Sequence, residues 1–331
     1  MTHLRRILIR VRSMWAFVHA LADRAAVFYS PTQFAIWRIV FGVYLAVHFV
    51  RLLPYAPEVF GRTGMMAEAR YAFSNGIFPN VLSLADSSGG VTLFIVVLAA
   101  LSVFYSCGVL RRAASLFLWY GWACLLNANI LAGDISVHYV GWLLLASTII
   151  PTGEPLSIGS RRQRARADWK MPGIIFYGAW IVLALGYTIS GFQKMGSPSW
   201  IDGTAFFQIL ASGAGRDSWI VDWILQFPVW IFQIFTWGVL ALEAGFAPLC
   251  LWRKTRRLVW LAMTCFHFGI LLLLNLTDLT IGLFLFHLFV FDARWVSGFN
   301  MARLTQLQTV LRFPAACAGV RRYWVLFRGL F

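Results

Sequence analysis

The chain of 331 residues is 60% hydrophobic and 17% aromatic, with 12% charged residues and a mean hydropathy of +0.72. This composition excludes a soluble globular domain and indicates a protein that crosses the membrane several times. The net charge of +15 comes from Lys and Arg gathered in a few segments, so it indicates topology and contact with anionic membrane lipids. We do not expect nucleic-acid binding from it.

Residues 1–31 are predicted to form an amphipathic helix at the membrane surface. Five arginines between Arg5 and Arg24 alternate there with Ile, Leu, Val, Trp and Phe. No long uncharged core with a small-residue cleavage site follows the arginines, so the pattern favours an interfacial helix over a signal peptide. Residues 296–331 combine scattered arginines with large apolar side chains in the same way. They are predicted to be a basic amphipathic tail.

Between these ends, residues 32–295 are predicted to form one all-α membrane bundle of about eight transmembrane helices. The count depends on apolar stretches that approach the ~20 residues needed to cross a bilayer. These stretches lie near 33–53, 91–107, 114–131, 137–151, 173–193, 228–252, 258–275 and 279–292. The last stretch is short, so seven to nine helices are compatible with the sequence.

Lys and Arg alternate between two sets of segments. The cationic set contains 22 of the 28 Lys and Arg residues and comprises 1–31, 108–113, 153–172, 252–257 and 293–331. The intervening loops are poor in cations, with two in residues 54–90 and one in residues 195–227. By the positive-inside rule, both termini are predicted to be cytoplasmic in a multi-pass protein of the cell (inner) membrane, and residues 195–227 are predicted to face outward.

Ionisable side chains within predicted spans cost about 2.5–3.5 kcal/mol each and normally face a protein interior. One helical histidine is more often a packing residue than a catalyst, but several such groups in one bundle favour a polar cavity. These groups are Arg38, His48, His138, Glu243, His267 and His287, with Asp134 and Asp278 at outer helix ends. We expect His138, His267 and Glu243 to line one cavity with Lys194. The alternative role of Glu243 is a structural pair with Arg38.

Lys194 directly follows an apolar stretch, unlike the other two lysines, Lys170 and Lys254, which lie in Arg-rich clusters. Desolvation at the edge of a hydrophobic helix disfavours the charged ammonium, so a lysine in this position can serve as a base. The alternative is a snorkelling lysine that only marks the end of the span. Tyr187 and Ser190, seven and four residues earlier, share its helix face.

Several motifs resemble parts of vitamin K-dependent gamma-carboxylase. Residues 187–195, Tyr-Thr-Ile-Ser-Gly-Phe-Gln-Lys-Met, and 200–203, Trp-Ile-Asp-Gly, are similar to the segment that carries its catalytic lysine. Residues 137–144 and 265–270 are similar to its two histidine-bearing helices, and residues 38–42 match at the first span. Over roughly 32–295 the chain therefore resembles the horizontally transferred transmembrane (HTTM) domain family.

The resemblance implies a chemistry for the matched positions. Lys194 would be the catalytic base that deprotonates vitamin K hydroquinone, whose reaction with O2 gives a base strong enough to take a proton from a glutamate side chain before CO2 adds. His138 would act in the carboxylation half of the reaction. The expected contacts to this cofactor, or to another quinol, come from Tyr187, His267, Trp200 and Glu243. The substrate would be a secreted peptide or a small molecule at the outer face.

Other functions remain open from the sequence. Gln193 precedes Lys194 where the family tends to carry a second lysine, so quinol binding can persist with a different substrate. A non-catalytic accessory role in secreted-peptide maturation or export, like that of the sporulation-delaying protein SdpB, is the main alternative. A transporter would show paired Gly/Pro-broken half-helices in its two halves, and the sequence has no such pair. No metal site is expected, because histidine spacings typical of metal ligands are absent.

Overall fold

The computed structural model of the protein describes residues 29–61, 64–65, 77–85, 87–158 and 168–296. Residues 1–28 and 297–331, which hold nearly all of the two predicted amphipathic terminal segments, lie outside this part of the chain. Contacts define two units, Met1–Phe291 and Asp292–Phe331. In the second unit the described residues form a short 3-10 turn, Ala293–Val296.

The described residues form thirteen α-helices, and the one β-bridge among them is isolated. In chain order the helices are α1 (Pro31–Leu52), α2 (Ala56–Phe60), α3 (Ser88–Ser106), α4 (Arg111–Ala128), α5 (Ser136–Ile149), α6 (Gly173–Lys194), α7 (Pro198–Ile201), α8 (Ala205–Ala211), α9 (Trp219–Ile224), α10 (Val229–Ala244), α11 (Phe246–Leu251), α12 (Arg253–Leu273) and α13 (Thr277–Phe289). Single 3-10 turns lie at Leu53–Tyr55, Val81–Leu84 and Ile130–Ala132.

The prediction of an all-helical membrane protein is confirmed. Four helical segments are long and apolar enough to cross a bilayer, namely Pro31–Phe60, Ser88–Ser106, Gly173–Lys194 and Lys254–Leu273. Helices α5, α10 and α13 are apolar but shorter. Each of the eight predicted stretches falls on helix, so the hydropathy pattern located the helices correctly, although only four helical segments in the described part of the chain are both long and apolar enough for a full span.

The predicted stretch 228–252 is divided between α10 and α11. Gly245 separates the two helices, and Pro248 lies in the first turn of α11. Proline has no backbone N–H, so Pro248 cannot donate to the carbonyl of Ala244 as a continuous helix would require. The Ala247 N–H is satisfied instead by Thr188 Oγ1 on α6, at 3.0 Å. Gly245 and Pro248 therefore account for the helix break, and the hydrogen bond from Ala247 joins it to α6.

Close backbone approach joins the first long helices. A Cβ placed on Gly42 would lie 2.6 Å from the Ser106 Cβ, so α1 and α3 can touch here only because position 42 is glycine. Ser106 Oγ also donates to the Ile39 carbonyl at 3.2 Å. Small residues at helix crossings are typical of membrane bundles, where packing and hydrogen bonds replace the hydrophobic effect between helices.

The outward faces of the long helices are apolar. Leu93, Ile181, Ile234 and Phe268 are between 55% and 63% exposed, and each lies on a different helix. In a soluble protein so many exposed large hydrophobic side chains would form adhesive patches. In this membrane protein they are the surface that contacts lipid.

A buried ion cluster fastens the loop after α5 to the bundle. Glu154 in that loop accepts from Arg38 Nη1 of α1 at 3.1 Å and lies 2.8 Å from Arg111 Nε of α4. All three side chains are at most 2% exposed. Arg111 also donates to the carbonyls of Ile150 and Pro151, both at 2.8 Å. The alternative role of Glu243 as a partner of Arg38 is therefore wrong, because Arg38 pairs with Glu154.

We expect Glu154→Ala to lower the free energy of unfolding by about 3–5 kcal/mol, because it leaves two buried guanidinium groups without their shared carboxylate. Denaturation in mixed detergent–lipid micelles is the measurement. The matched control is Glu58→Ala, since Glu58 is exposed and its loss should change stability by less than about 0.5 kcal/mol. Equal effects of the two substitutions would show that the cluster is not a stabilising contact.

Candidate functional site

Lys194 lies between a carboxylate, a hydroxyl and an aromatic ring. Its Nζ forms an ion pair with Glu243 Oε2 of α10 and donates to Ser190 Oγ, one turn earlier on α6, at 2.9 Å. The Trp200 ring centroid is 5.0 Å from the same Nζ. The Lys194 side chain is 24% exposed and that of Glu243 is 5% exposed. Three of the predicted site residues, Lys194, Glu243 and Trp200, are thus brought together.

Helices α6 and α10 touch through their backbones next to this pair. A Cβ on Gly191 would lie 2.7 Å from the Ala244 Cα, so only glycine permits the approach. Gly191 and Lys194 are three residues apart and share a helix face. Glu243 precedes Ala244, so the backbone contact sets the separation of the ion pair. The position of Lys194 relative to Glu243 is therefore determined by a glycine that sequence reasoning had not singled out.

The turn after α6 holds Trp200 over the lysine amine. Asp202 Oδ1 accepts from the Thr204 N–H at 2.9 Å and from Thr204 Oγ1 at 2.7 Å, and these hydrogen bonds lower the pKa of Asp202. Gly203 has a φ of +85°, a left-handed conformation that favours glycine. Trp237 of α10 donates to a carbonyl of this turn at 3.1 Å. Helix α10 therefore positions both the carboxylate and the ring of the site.

A second polar cluster lies deeper in the bundle. Tyr187 Oη of α6 is 2.7 Å from His267 Nε2 of α12 and 2.7 Å from His287 Nε2 of α13. The three residues are 5%, 2% and 1% exposed. Neither histidine Nδ1 has a hydrogen-bond partner among the described residues. Tyr187 and His267 were predicted as site residues, whereas His287 was noted in the sequence only as an ionisable group at membrane depth.

The two clusters are neighbours. Tyr187 lies seven residues before Lys194, which is two helical turns or about 10 Å along α6. Tyr139 of α5 reaches the same region, where its hydroxyl occupies the space that a Cβ on residue 186 would need. Five helices therefore contribute side chains to one polar region inside an apolar bundle.

His138 is not part of this region in the described structure. Its side chain is exposed, and no hydrogen bond or ion pair among the described residues links it to Lys194 or His267. The next residue, Tyr139, is 8% exposed and faces the bundle, because consecutive helix residues differ by about 100° in direction. The motif that contains His138 therefore lies on a helix that contributes to the polar region, but the residue of that motif that faces the region is Tyr139. The buried positions of α5, which include Tyr139, Val140 and Leu143, carry the helical periodicity that indicates this face.

The outer acidic residues also lie apart from Lys194. Asp134 and Asp278 line a separate cavity of about 80 Å³ together with Tyr44, His48 and Trp122. His48 Nδ1 lies 3.9 Å from the Asp278 carboxylate. The ionisable groups at membrane depth therefore do not all line one cavity in the described part of the chain.

We expect Lys194 and Glu243 to be energetically coupled. Lys194→Met leaves a buried carboxylate without its cation, and Glu243→Gln leaves the ammonium without its anion, so each should lower the free energy of unfolding. The double variant should lose less than the sum, with a coupling of about 0.5–3 kcal/mol. Pairing Glu243→Gln with Lys254→Met, a change of an exposed lysine, is the control and should be additive. Additivity in both cycles would mean that the ion pair contributes nothing measurable.

The comparisons supply no relative from which a role for these residues could be transferred. No protein-family model, curated protein or solved structure matches the chain.

Proposed function

We propose that this protein is an integral membrane enzyme that acts on a quinol-like, lipid-soluble cofactor with Lys194 as the general base. The observation that carries the proposal is the Lys194–Glu243 pair, held beside an aromatic ring at the edge of an apolar bundle. A charged lysine needs no such setting for anchoring alone. A catalytic base does need such a setting, because it must be partly shielded from water and still reach its substrate.

The pair can hold its proton in two ways. With the proton on nitrogen it is an ammonium next to a carboxylate, and with the proton on oxygen it is an amine next to a carboxylic acid. Lys194 can act as a base only in the second arrangement, in which Glu243 holds the proton and the amine nitrogen has a free lone pair. Ser190 Oγ, 2.9 Å away, accepts from one amine N–H and orients the lone pair. Lys194 is then able to accept a proton.

The surrounding residues fit a quinol head group. When bound, a reduced quinone supplies an aromatic ring, an acidic hydroxyl and two electrons for reaction with O2. Trp200 offers a ring to stack on, and Lys194 accepts the hydroxyl proton. His138 lies on an exposed face, so carboxylation with CO2 at this same site is not part of the proposal.

The proposed arrangement has eight helices across the cell membrane, both termini in the cytoplasm and residues 195–227 outside. The charge bias of the loops supports it. Exposed tryptophans, which favour the membrane interface, cluster in and after this segment: Trp219, Trp223, Trp230 and Trp237 are 46–76% exposed. Lys194 immediately precedes the segment, so a lipid-soluble cofactor and a secreted peptide substrate would both reach it from the outer leaflet.

We expect a cysteine at position 217 to be labelled from outside the cell. The background is a variant in which the five native cysteines are replaced by serine, and Asp217→Cys and Lys254→Cys are compared, because both positions are exposed. A membrane-impermeant maleimide should modify position 217 in intact cells and position 254 only after permeabilisation. The reverse pattern would invert the topology and place the Lys194 site on the cytoplasmic side.

We expect the protein in lipid nanodiscs to accelerate the O2-dependent consumption of vitamin K hydroquinone, and Lys194→Arg to slow it by about 10²–10⁴-fold, the range for loss of a general base. Arginine keeps the ion pair with Glu243 but stays protonated and cannot accept a proton. Lys254→Arg is the matched control and should retain the full rate. Quinol is followed by its ultraviolet absorbance against empty nanodiscs.

Full activity of Lys194→Arg would show that the positive charge, and not the base, is what this position supplies. No acceleration by the unmodified protein would contradict the quinol proposal itself. An accessory role in secreted-peptide maturation would then be the function to test.

A further inference from the structure

The cavity between α1, α4, α5 and α13 combines two carboxylates with aromatic walls. Its volume is about 80 Å³, and it is lined by Asp134 and Asp278 together with the rings of Tyr44, His48 and Trp122. Among the described residues, no Lys or Arg lines it. Carboxylates that share an enclosed space repel each other, so a cation bound between them is favoured.

A larger cavity of about 250 Å³ shares both carboxylates with the first one. Its other lining residues are mostly polar and include Asn275, Thr277 and Arg51. The arginine lines only this larger cavity. The Asp278 side chain is 48% exposed. The smaller, aromatic cavity is therefore reached past the two carboxylates.

Neither carboxylate forms an ion pair with a Lys or Arg of the described chain. Asp134 Oδ1 accepts from the Ser136 N–H at 2.6 Å. Asp278 has His48 as its ion-pair partner, with Nδ1 3.9 Å from the nearer carboxylate oxygen. Each carboxylate therefore keeps an oxygen that no described side chain or amide uses, and both can accept from a ligand.

Tyr44 gives an independent indication of a ligand. Its side chain is 9% exposed and lines the cavity, yet its hydroxyl has no hydrogen-bond partner among the described residues. About nine in ten buried polar groups in proteins are satisfied, and a buried tyrosine hydroxyl usually finds a partner. The Tyr44 hydroxyl is therefore available to a molecule bound in the cavity.

The aromatic wall is held in place by hydrogen bonds between elements. Trp122 Nε1 donates to the Val137 carbonyl at 3.0 Å, and the ring centroid lies 5.0 Å from that of His48. Asn129 Nδ2 donates to the Val59 carbonyl at 2.9 Å and so fixes the loop before Asp134. Aromatic faces attract organic cations, so the wall and the carboxylates favour the same kind of ligand.

We propose that this cavity binds a small organic ammonium ion. The N–H groups of the ligand donate to Asp134 and Asp278, its carbon chain packs on the Trp122 ring, and the Tyr44 hydroxyl accepts a further hydrogen bond. A cavity of ~150 Å³ holds benzene, so 80 Å³ admits a chain of about three or four non-hydrogen atoms.

A metal ion fits the same cavity less well. No group of three or more His, Cys, Asp or Glu side chains in the described part of the chain could hold a metal. The aromatic wall also offers no ligand atoms to a hard cation, which takes oxygen ligands. The proposed topology places these helix ends outside the cell, so the ligand would arrive from there. Only this direction rests on the proposed function.

Binding of propylammonium to the protein in nanodiscs of zwitterionic lipid tests the site. Saturation-transfer NMR at pH 8 follows the ligand, with empty nanodiscs as the blank. We expect propylammonium to bind at least about tenfold more tightly than 1-propanol, which has the same chain without the charge. Equal affinities, or no propylammonium signal above the blank, would overturn the proposal. No quinol is present, so the outcome is separate from that of the quinol assay.

Three substitutions assign the binding to this cavity. Asp134→Asn and Asp278→Asn remove one charge each without changing the side-chain shape and should each weaken propylammonium binding by about tenfold or more. Tyr44→Phe removes the hydroxyl and should weaken it by about 3–10-fold. Asp222→Asn, at an exposed carboxylate of α9, is the matched control and should bind like the unmodified protein. Unchanged binding in both cavity aspartate variants would contradict the site, and the comparison with 1-propanol decides the matter even if a variant does not fold.

Discussion

Polar side chains inside this bundle must find their partners on other helices, because neither lipid nor packed hydrocarbon offers hydrogen bonds. Arg38 and Arg111 meet this requirement through Glu154, and Lys194 meets it through Glu243. An unpartnered group of this kind would cost several kcal/mol. The ionic contacts therefore join α1, α4 and the loop after α5, and α6 with α10, in addition to the close backbone approaches at Gly42 and Gly191.

The two ionic clusters differ in what they leave accessible. Glu154 and its two arginines are at most 2% exposed. The arginines also donate to backbone carbonyls, so the role of this cluster is to stabilise the fold. Lys194 is 24% exposed and makes its remaining contacts with a hydroxyl and an aromatic face. Only the second arrangement combines shielding with access. This difference in exposure is why a chemical role is assigned to Lys194 and a stabilising role to Arg38.

Sequence reasoning located the helices because hydropathy is a local property, but the partners of single side chains depend on how helices meet. The alternative pairing of Arg38 with Glu243 was wrong. Its actual partner, Glu154, was missed because it lies in a polar loop, where a carboxylate is not expected to be buried. Tyr139 was missed because the motif drew attention to the adjacent histidine, and the direction of a side chain depends on which face of α5 is inward. Lys194 and Glu243 were selected because a charged side chain at membrane depth is costly, and Trp200 was selected because it lies in a motif that carries the family resemblance. Gly191, which brings the pair together, carries no such signal.

The break between α10 and α11 bears on the position of Glu243. Helix α11 is tied to α6 through Thr188, whereas α10 is tied to the turn after α6 through Trp237. Glu243 lies two residues before the break, where the backbone contact between Gly191 and Ala244 holds it beside Lys194. Both sides of the helix break are thus hydrogen-bonded to the segment that carries Lys194 or follows it, and one glycine and one proline determine where the carboxylate lies.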